Sequence, residues 1–485
     1  MPVRSTRFGM PGRGFIGAAV RTPGRRPRPL PCGGERLPRA TFIFREPSMS
    51  ESSSAFLYRR VALRVIPFLF VCYVVNFIDR VNIGFAKLQF LQDLGLSEAA
   101  FGAATAIFFI SYAAFEVPSN LVLARIGASR TLMRIMVLWG LCTIAQMFVT
   151  GSVSLYVVRF LLGAAEAGFF PGLILYLSYW FPDAVRARVN SVLLLAVPVA
   201  GMIGGPLSGW IMAHLQDALG LRGWQWLFLI EGLPAIALGL IAPLMLSDRP
   251  EQAAWLSAAD RHALSRDLQA ERAAAVVGYD GAGVLDVLRN GRVLGLAAIY
   301  FCVYVGMGAV TFWSPSVLKA SGVATVSGVG WLSGLISVFT MIGNVAIAWS
   351  SDRHGERRWH TVACMLVTAC SLLLLRFAAG HVWMTVTLLA VAQLCAFTVP
   401  IVFWTIPAAQ LTGRAAAAGI AAISMLGSLG GAFSSWLVGV LFTRTGAPYA
   451  GLAVVAMLLM LGALLVTNLV PRTLRSPRVS GERAA

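Results

Sequence analysis

Charge is scarce in this chain. Of its 485 residues only 12% are charged, against about 25% in soluble proteins, which excludes an ordinary water-soluble fold. Lysine is nearly missing, with Lys87 and Lys319 the only two. No GxxxxGK[ST] stretch exists, so transport driven by ATP on this chain is excluded. No HExxH and no Ser-His-Asp or Cys-His constellation stands out, which argues against an enzyme. The seven cysteines form no CxxC pair. Six of them (Cys72, Cys142, Cys302, Cys364, Cys370, Cys395) fall in apolar runs, where a thiol behaves as a small hydrophobe. The five histidines lack metal-ligand spacing. No metal and no organic cofactor are expected.

What the chain does have is apolar sequence, 58% of it, with a mean hydropathy of +0.75. Apolar runs of about 20 residues, each long enough to cross a bilayer as a helix, recur along it. Twelve are expected, at about 61–86, 98–123, 131–150, 153–179, 187–213, 224–246, 291–318, 328–350, 359–378, 382–407, 415–442 and 448–470. The fold class is therefore an all-α membrane protein. A polar segment at 248–290 divides the runs six and six. The expected organisation is a six-helix bundle at 55–247, a cytoplasmic central loop at 248–290, a second bundle at 291–470 and a cytoplasmic tail at 471–485. Within the loop, Ser257 with Asp260 three residues on, followed by Leu264 and Leu268, predicts a capped surface helix.

The net charge of +18 suggests a nucleic-acid partner only until the charges are placed. Residues 1–48 hold ten Arg against Glu35 and Glu46, in a Pro- and Gly-rich stretch that reads as disordered. It has no apolar core of the kind a signal peptide needs. Met49 opens a more ordinary start, and residues 1–48 are expected to come from a misplaced start codon. The remaining positive charge gathers in alternate short loops, at Arg59, Arg60 and Arg64, Arg125, Arg130 and Arg134, Arg186 and Arg188, and Arg353, Arg357 and Arg358. The positive-inside rule places that side, and both termini, in the cytoplasm. No nucleic acid is expected as a partner; lipid is.

The halves read as repeats. "ARIGASRTLMR" follows the second run and "SDRHGERRWHT" the eighth, with Arg125 and Arg353 228 residues apart (353 − 125). The same offset carries the Gly-rich "GMIGGPLSG" at 201–209 onto the Gly-rich "LGGAFSSWL" at 429–437. Parallel six-helix repeats suit a transporter with its site between the halves.

These features resemble the Major Facilitator Superfamily. "DRHGERR" (352–358) is similar to its signature loop between the second and third helices of each half; in the first copy Ala124 stands where the acid usually is. The resemblance gives Arg125, Asp352 and Arg353 to gating loops. "GMIGGPLSG" resembles the fifth-helix motif of antiporters, which some symporters share. "NFIDRVNIGFAKLQF", "RFLLGAAEAGFFPGLILYLSYWFP", "WQWLFLIEGLPAIALGL", "FWSPSVLK" and "LTGRAAAAGIA" resemble the anion:cation symporter family, which includes tartrate, sugar-acid and phthalate permeases. The similarity runs over nearly all of residues 55–470.

A charge at the centre of a membrane helix costs about 2.5–3.5 kcal/mol, so it faces a cavity or a partner. Asp79 and Arg80 lie in the first run with Asn76 one turn back; Arg159 and Glu166 lie two turns apart in the fourth. The internal offset maps these four charges onto Met307, Gly308, Thr387 and Leu394, so the first half alone supplies ionic chemistry. Arg80 and Arg159 are expected to hold a substrate carboxylate through their planar forks. Asp79 and Glu166 are expected to bind coupling protons, and the family resemblance supports the same four positions. The competing reading is a static ion-pair network joining the first and fourth helices. Tyr304, Gln393, Trp404, Thr405, Ser424 and Ser428 are candidates for the cavity wall in the second half, where the resemblance places it. Phe77, Tyr304 and Trp404 suit an aromatic acid, although ordinary helix packing accounts for aromatics equally well. Glu116 and Glu231 are assigned to helix packing or loop gating. The expected function is import of a small organic anion (tartrate, a sugar acid or an aromatic acid) by proton symport, by a monomer in the bacterial inner membrane. Uniport, antiport and a non-transporting nutrient sensor of the same fold are the alternatives.

Overall fold

The structure, a computed structural model, describes residues 49–276, 290–354, 356–410 and 415–471. The expected disordered stretch at 1–48, most of the tail at 471–485 and the loop at 277–289 lie outside these. Among the described residues twelve helical segments are long and apolar enough to cross a membrane, from Phe56–Asp93 to Tyr449–Leu469.

The first half comprises α1 (Met49–Asp93), α2 (Glu98–Ile126), α3 (Ala128–Ala145), α4 (Ser152–Glu166), α5 (Phe169–Ser178), α6 (Asp183–Leu194), α7 (Ala196–His214) and α8 (Gly223–Met245). α9 (Ala258–Val276) belongs to the central segment. The second half comprises α10 (Gly291–Ala320), α11 (Val326–His354), α12 (Arg358–Leu374), α13 (Val382–Phe403), α14 (Thr405–Gln410), α15 (Ala415–Thr445) and α16 (Tyr449–Leu469). Within the halves α3 packs on α8 and α2 on α4, while α10 packs on α15 and α12 on α16. Between the halves α2 lies along α15 and α7 along α11.

Small residues make those cross-half contacts possible. A Cβ on Gly102 of α2 would stand 2.5 Å from the Ser435 carbonyl and 3.1 Å from Gly439 Cα, both on α15. Gly330 of α11, at the repeat position of Gly102, packs against Gly205 and Gly209 of α7 in the same way. The two inter-half seams thus obey the internal repeat. Both begin at the membrane face where α1 ends and α2 begins, and there Ala99 N–H donates to Thr443 Oγ1 (2.8 Å). They reach inward to Phe109 and Gly431 on one side and to Gly201 and Ser337 on the other.

Three runs expected to be continuous are interrupted. The fourth breaks between α4 and α5, the fifth between α6 and α7, and the tenth between α13 and α14. Pro171, Pro198 and Pro407 stand four residues beyond Ala167, Leu194 and Phe403, so each leaves the carbonyl at its break without a helical donor. At the first break Gly168 has φ 85°, a left-handed conformation that glycine adopts without strain. Pro67, Pro206, Pro234, Pro315 and Pro400 sit within helices that carry through.

The central segment behaves as its pattern predicts. The Asp260 N–H donates to Ser257 Oγ (3.1 Å), and Leu264 and Leu268 are buried. Tyr58 OH donates to Asp267 Oδ2 (3.1 Å) and Trp180 stacks on Trp255, so α9 docks on the first half.

Candidate functional site

α1 and α4 bring the expected charges together. Asn76, Asp79, Arg159 and Glu166 are each at most 2% exposed, and Arg80 is half-buried. Glu166 ends α4, beside the break at Gly168. Its Oε1 accepts from Asn76 Nδ2 (2.9 Å) and Arg80 Nε (3.1 Å), and Arg80 closes an ion pair on it. The i,i+4 spacing of Asn76 and Arg80 is what lets both reach one oxygen.

Asp79 points elsewhere. Its Oδ2 accepts from Thr143 Oγ1 of α3 (2.8 Å) and its Oδ1 from Asn82 Nδ2 (3.0 Å). The two acids of the expected site are therefore held differently, one by a guanidinium and one by neutral donors.

Arg159 is the least satisfied member. Its guanidinium lies 4.6 Å from the centre of the Phe108 ring, and that of Arg80 lies 5.7 Å from the same ring and 5.2 Å from Tyr112. Two Arg159 nitrogens, Nε and one terminal nitrogen, have no hydrogen-bond partner in the protein. A buried donor left unpaired costs about 1–3 kcal/mol, more when charged. Two cations thus border one aromatic ring, one engaged with a carboxylate and one open to an acceptor.

The second half supplies aromatic and neutral groups. Tyr304 of α10 stands within electrostatic reach of Arg80 and Glu116. It packs on Tyr300 (5.1 Å), which stacks flat on Phe403 and accepts from Trp404 Nε1 (2.9 Å). Phe77 meets Phe397 of α13 edge-on at 6.4 Å, across the boundary between the halves. Gln393 donates to Ser337 Oγ (3.2 Å) beside Gly201, so it stands at the α7–α11 seam. Ser424 is half-buried on α15; Ser428 and Thr405 donate to the carbonyls of Met425 and Val402. The twelve spanning helices found among the described residues accompany a match to a family model. The Major Facilitator Superfamily pattern fits residues 69–328 and 296–485.

The chain belongs to the Major Facilitator Superfamily. It is a transporter and not an enzyme, and its relatives are consistent with a permease of the anion:cation symporter type. It is 41% identical to the "Putative metabolite transport protein NicT" of Pseudomonas putida, over 85% of this chain and 94% of the relative. It is 40% identical to a "Putative tartrate transporter" of Agrobacterium vitis, over 92% and 98%. Among solved structures it is similar to a D-xylose-proton symporter, with a TM-score of 0.65 at 18% identity, covering 84% of this chain and 98% of that one. That similarity carries the fold alone. A multi-pass protein of the bacterial inner membrane follows.

In this Major Facilitator protein the loop residues fare unevenly. Arg125 and Arg353 are exposed, with Arg353 over the Trp349 ring at 5.2 Å. The side chain of Asp352 lies outside those described. Where Ala124 leaves the first loop without its acid, Asp248 from the far end of the bundle arrives instead. Its Oδ1 accepts from the Ser129 N–H (2.7 Å) at the start of α3, against Gly127. Glu356 does the same for α12, accepting from the N–H groups of Trp359 (2.8 Å) and His360 (3.1 Å).

Lys87 falls just beyond the first expected run, at about 61–86, but lies inside α1, which continues to Asp93 because no breaker intervenes. It is 2% exposed and pairs with Glu98 at 2.8 Å. Its ammonium also lies 3.7 Å from the Trp313 ring centre and 4.3 Å from that of Phe101, with Phe442 at 5.9 Å. Trp313 and Phe442 belong to the second half, so Lys87 closes the seam there. Asn82 was findable from its i,i+3 spacing to Asp79. Thr143, Phe108 and Trp313 carry no sequence signal that separates them from ordinary packing residues.

Proposed function

We propose that the protein imports a small organic anion by proton symport through alternating access. Arg80 and Arg159 bind the carboxylate, and Asp79 and Glu166 carry protons. The observation that carries this reading is Arg159, buried with two unpaired donors beside an Arg80–Glu166 pair. A carboxylate that satisfies Arg159 also competes for Arg80. Glu166 then loses its counter-charge in a buried setting, where a carboxyl binds a proton more readily. Linkage makes the effect mutual, so protonation of Glu166 frees Arg80 and favours the anion. The static-network alternative requires Arg80–Glu166 to stay closed throughout transport, and it gives the open donors of Arg159 no role.

The substrate class is a small carboxylate. A tartrate-named relative at 40% identity supports a hydroxy acid. The Phe108, Tyr112 and Tyr304 rings near the cations support an aromatic acid, which planar side chains contact well. The arginine-rich loops support cytoplasmic termini. The seams support a form closed at the face opposite them. The unit of transport is a monomer.

Uptake of radiolabelled tartrate and benzoate into proteoliposomes, with and without an outside-acid pH gradient, tests the reading. Gradient-stimulated accumulation of either, abolished in Arg159→Gln, is expected. Full proton-driven uptake in both Glu166→Gln and Asp79→Asn would sink the coupling assignment.

A further inference from the structure

We propose that Glu231 is an additional proton-binding carboxyl, joined to Asp79 through Asn82; as a coupling group it rests on the proton-symport reading above. Glu231 lies on α8, 3% exposed, where α8 and α3 approach closely at Gly232 and Gly140. Its Oε1 accepts from Ser208 Oγ of α7 at 2.9 Å. Its Oε2 has no hydrogen-bond partner, and neither has Asn82 Oδ1. The Asn82 amide donates to Asp79 Oδ1 and lies within reach of Glu231.

The charges around Glu231 are one-sided. From α1 come Asp79 and Asn82, and from α7 Ser208; none of these is a cation. From α3, Thr143 donates to Asp79 and the Cys142 thiol lies near it. Arg159 and Glu166 of α4 act on Asp79, whereas no cation among the described residues acts on Glu231. A buried carboxylate without a cation is strongly disfavoured, and two adjacent ones more so.

A single proton resolves the pattern. Both Asp79 oxygens accept hydrogen bonds, as an ionised carboxylate does. A proton on Glu231 Oε2 turns that unpaired atom into a donor, and Asn82, which lies within reach of Glu231, carries a vacant acceptor in its Oδ1. An O–H turned toward it would satisfy two buried atoms that have no hydrogen-bond partner. Asn82 touches both acids, so the proton belongs to the Asp79–Glu231 pair and its titration is shared. Because Ser208 sits on α7, the helix that packs across to α11, the protonation state reaches a seam between the halves.

Infrared difference spectroscopy of the protein in liposomes, titrated across pH, reads protonated carboxyl groups directly. Glu231→Gln keeps the shape and a donor toward Asn82. It is expected to lose one buried protonated-carboxyl band, together with the stimulation of uptake by an outside-acid gradient. An unchanged band and unchanged stimulation overturn the proposal. Loss of the band in a protein whose wild-type uptake ignores the gradient leaves the proton site standing and sinks the symport reading. Should Glu231→Gln not fold, Ser208→Ala keeps the carboxyl and removes one partner. It is expected to shift that band, and a band that does not move overturns the assignment.

Discussion

At the scale of single residues, the site is built on unequal satisfaction. Glu166 Oε1 accepts hydrogen bonds from Asn76 and Arg80, while two Arg159 nitrogens donate none. A hydrogen bond to a charged group is worth about 1.5–3 kcal/mol, and an arginine fork presents donors that a lysine ammonium does not. Arg159→Lys is therefore expected to weaken substrate binding by roughly tenfold or more while keeping the positive charge. Isothermal titration with the transported anion checks this; equal affinity would mean that Arg159 does not touch the substrate. Glu356 gives a second expectation. Partial burial opposes its ionisation, but donors from Trp359 and His360 outweigh that and hold its carboxyl below the ordinary range. A group whose folded-state value is lowered stabilises above the ordinary carboxylate value and loses that contribution as pH falls through the lowered one. Wild type is thus expected to lose its thermal-stability advantage over Glu356→Gln on acidification below the usual carboxylate range. Melting curves of both across pH would show it.

At the scale of elements, glycine and proline decide where helices touch and where they stop. Gly102 admits the α15 backbone, and its repeat partner Gly330 admits that of α7. Gly102→Val is expected to separate α2 from α15 and cost about 1–3 kcal/mol, as overpacking does. A melting temperature equal to wild type would show that this seam has slack. Asp248 acts on one element from another, capping the start of α3 from the end of the first bundle. Loss of such a cap costs about 1 kcal/mol, so Asp248→Ala is expected to destabilise by that order, measured by denaturation in detergent. The carboxylate at the start of α3 is thus supplied by chain that returns after 119 residues (248 − 129).

At the scale of the molecule, the two halves meet through the Lys87 box as well as through the glycine seams. Its ammonium is neutralised by Glu98 within the first half and covered by Trp313 and Phe442 of the second. Separating the halves at this face takes the cation off those rings, an interaction worth about 2 kcal/mol or more when desolvated. Lys87→Gln is expected to shift the population toward the form open at that face. Faster labelling of a cysteine placed at Ser435 would report the shift, and unchanged labelling would remove Lys87 from the gate.

The fold was legible in the sequence because a bilayer imposes one rule on every span: about 20 apolar residues with internally bonded backbone. Run lengths, the repeat offset and the sparse buried charges were enough to find twelve helices and to single out Asp79, Arg80, Arg159 and Glu166 as candidates. Partner choice was not legible. Helical spacing places Asn76, Asp79 and Arg80 near one face, but only the packing of α4 and α3 against α1 sends Arg80 to Glu166 and Asp79 to Thr143. Asp248 on α3, Trp313 on Lys87 and Ser208 on Glu231 join residues far apart in the chain, which no local period encodes. The sequence by itself determined which residues lie in the membrane, because hydration cost depends on each side chain alone. The tertiary structure decided which of them answer one another, because a hydrogen bond or ion pair depends on where two helices bring their atoms.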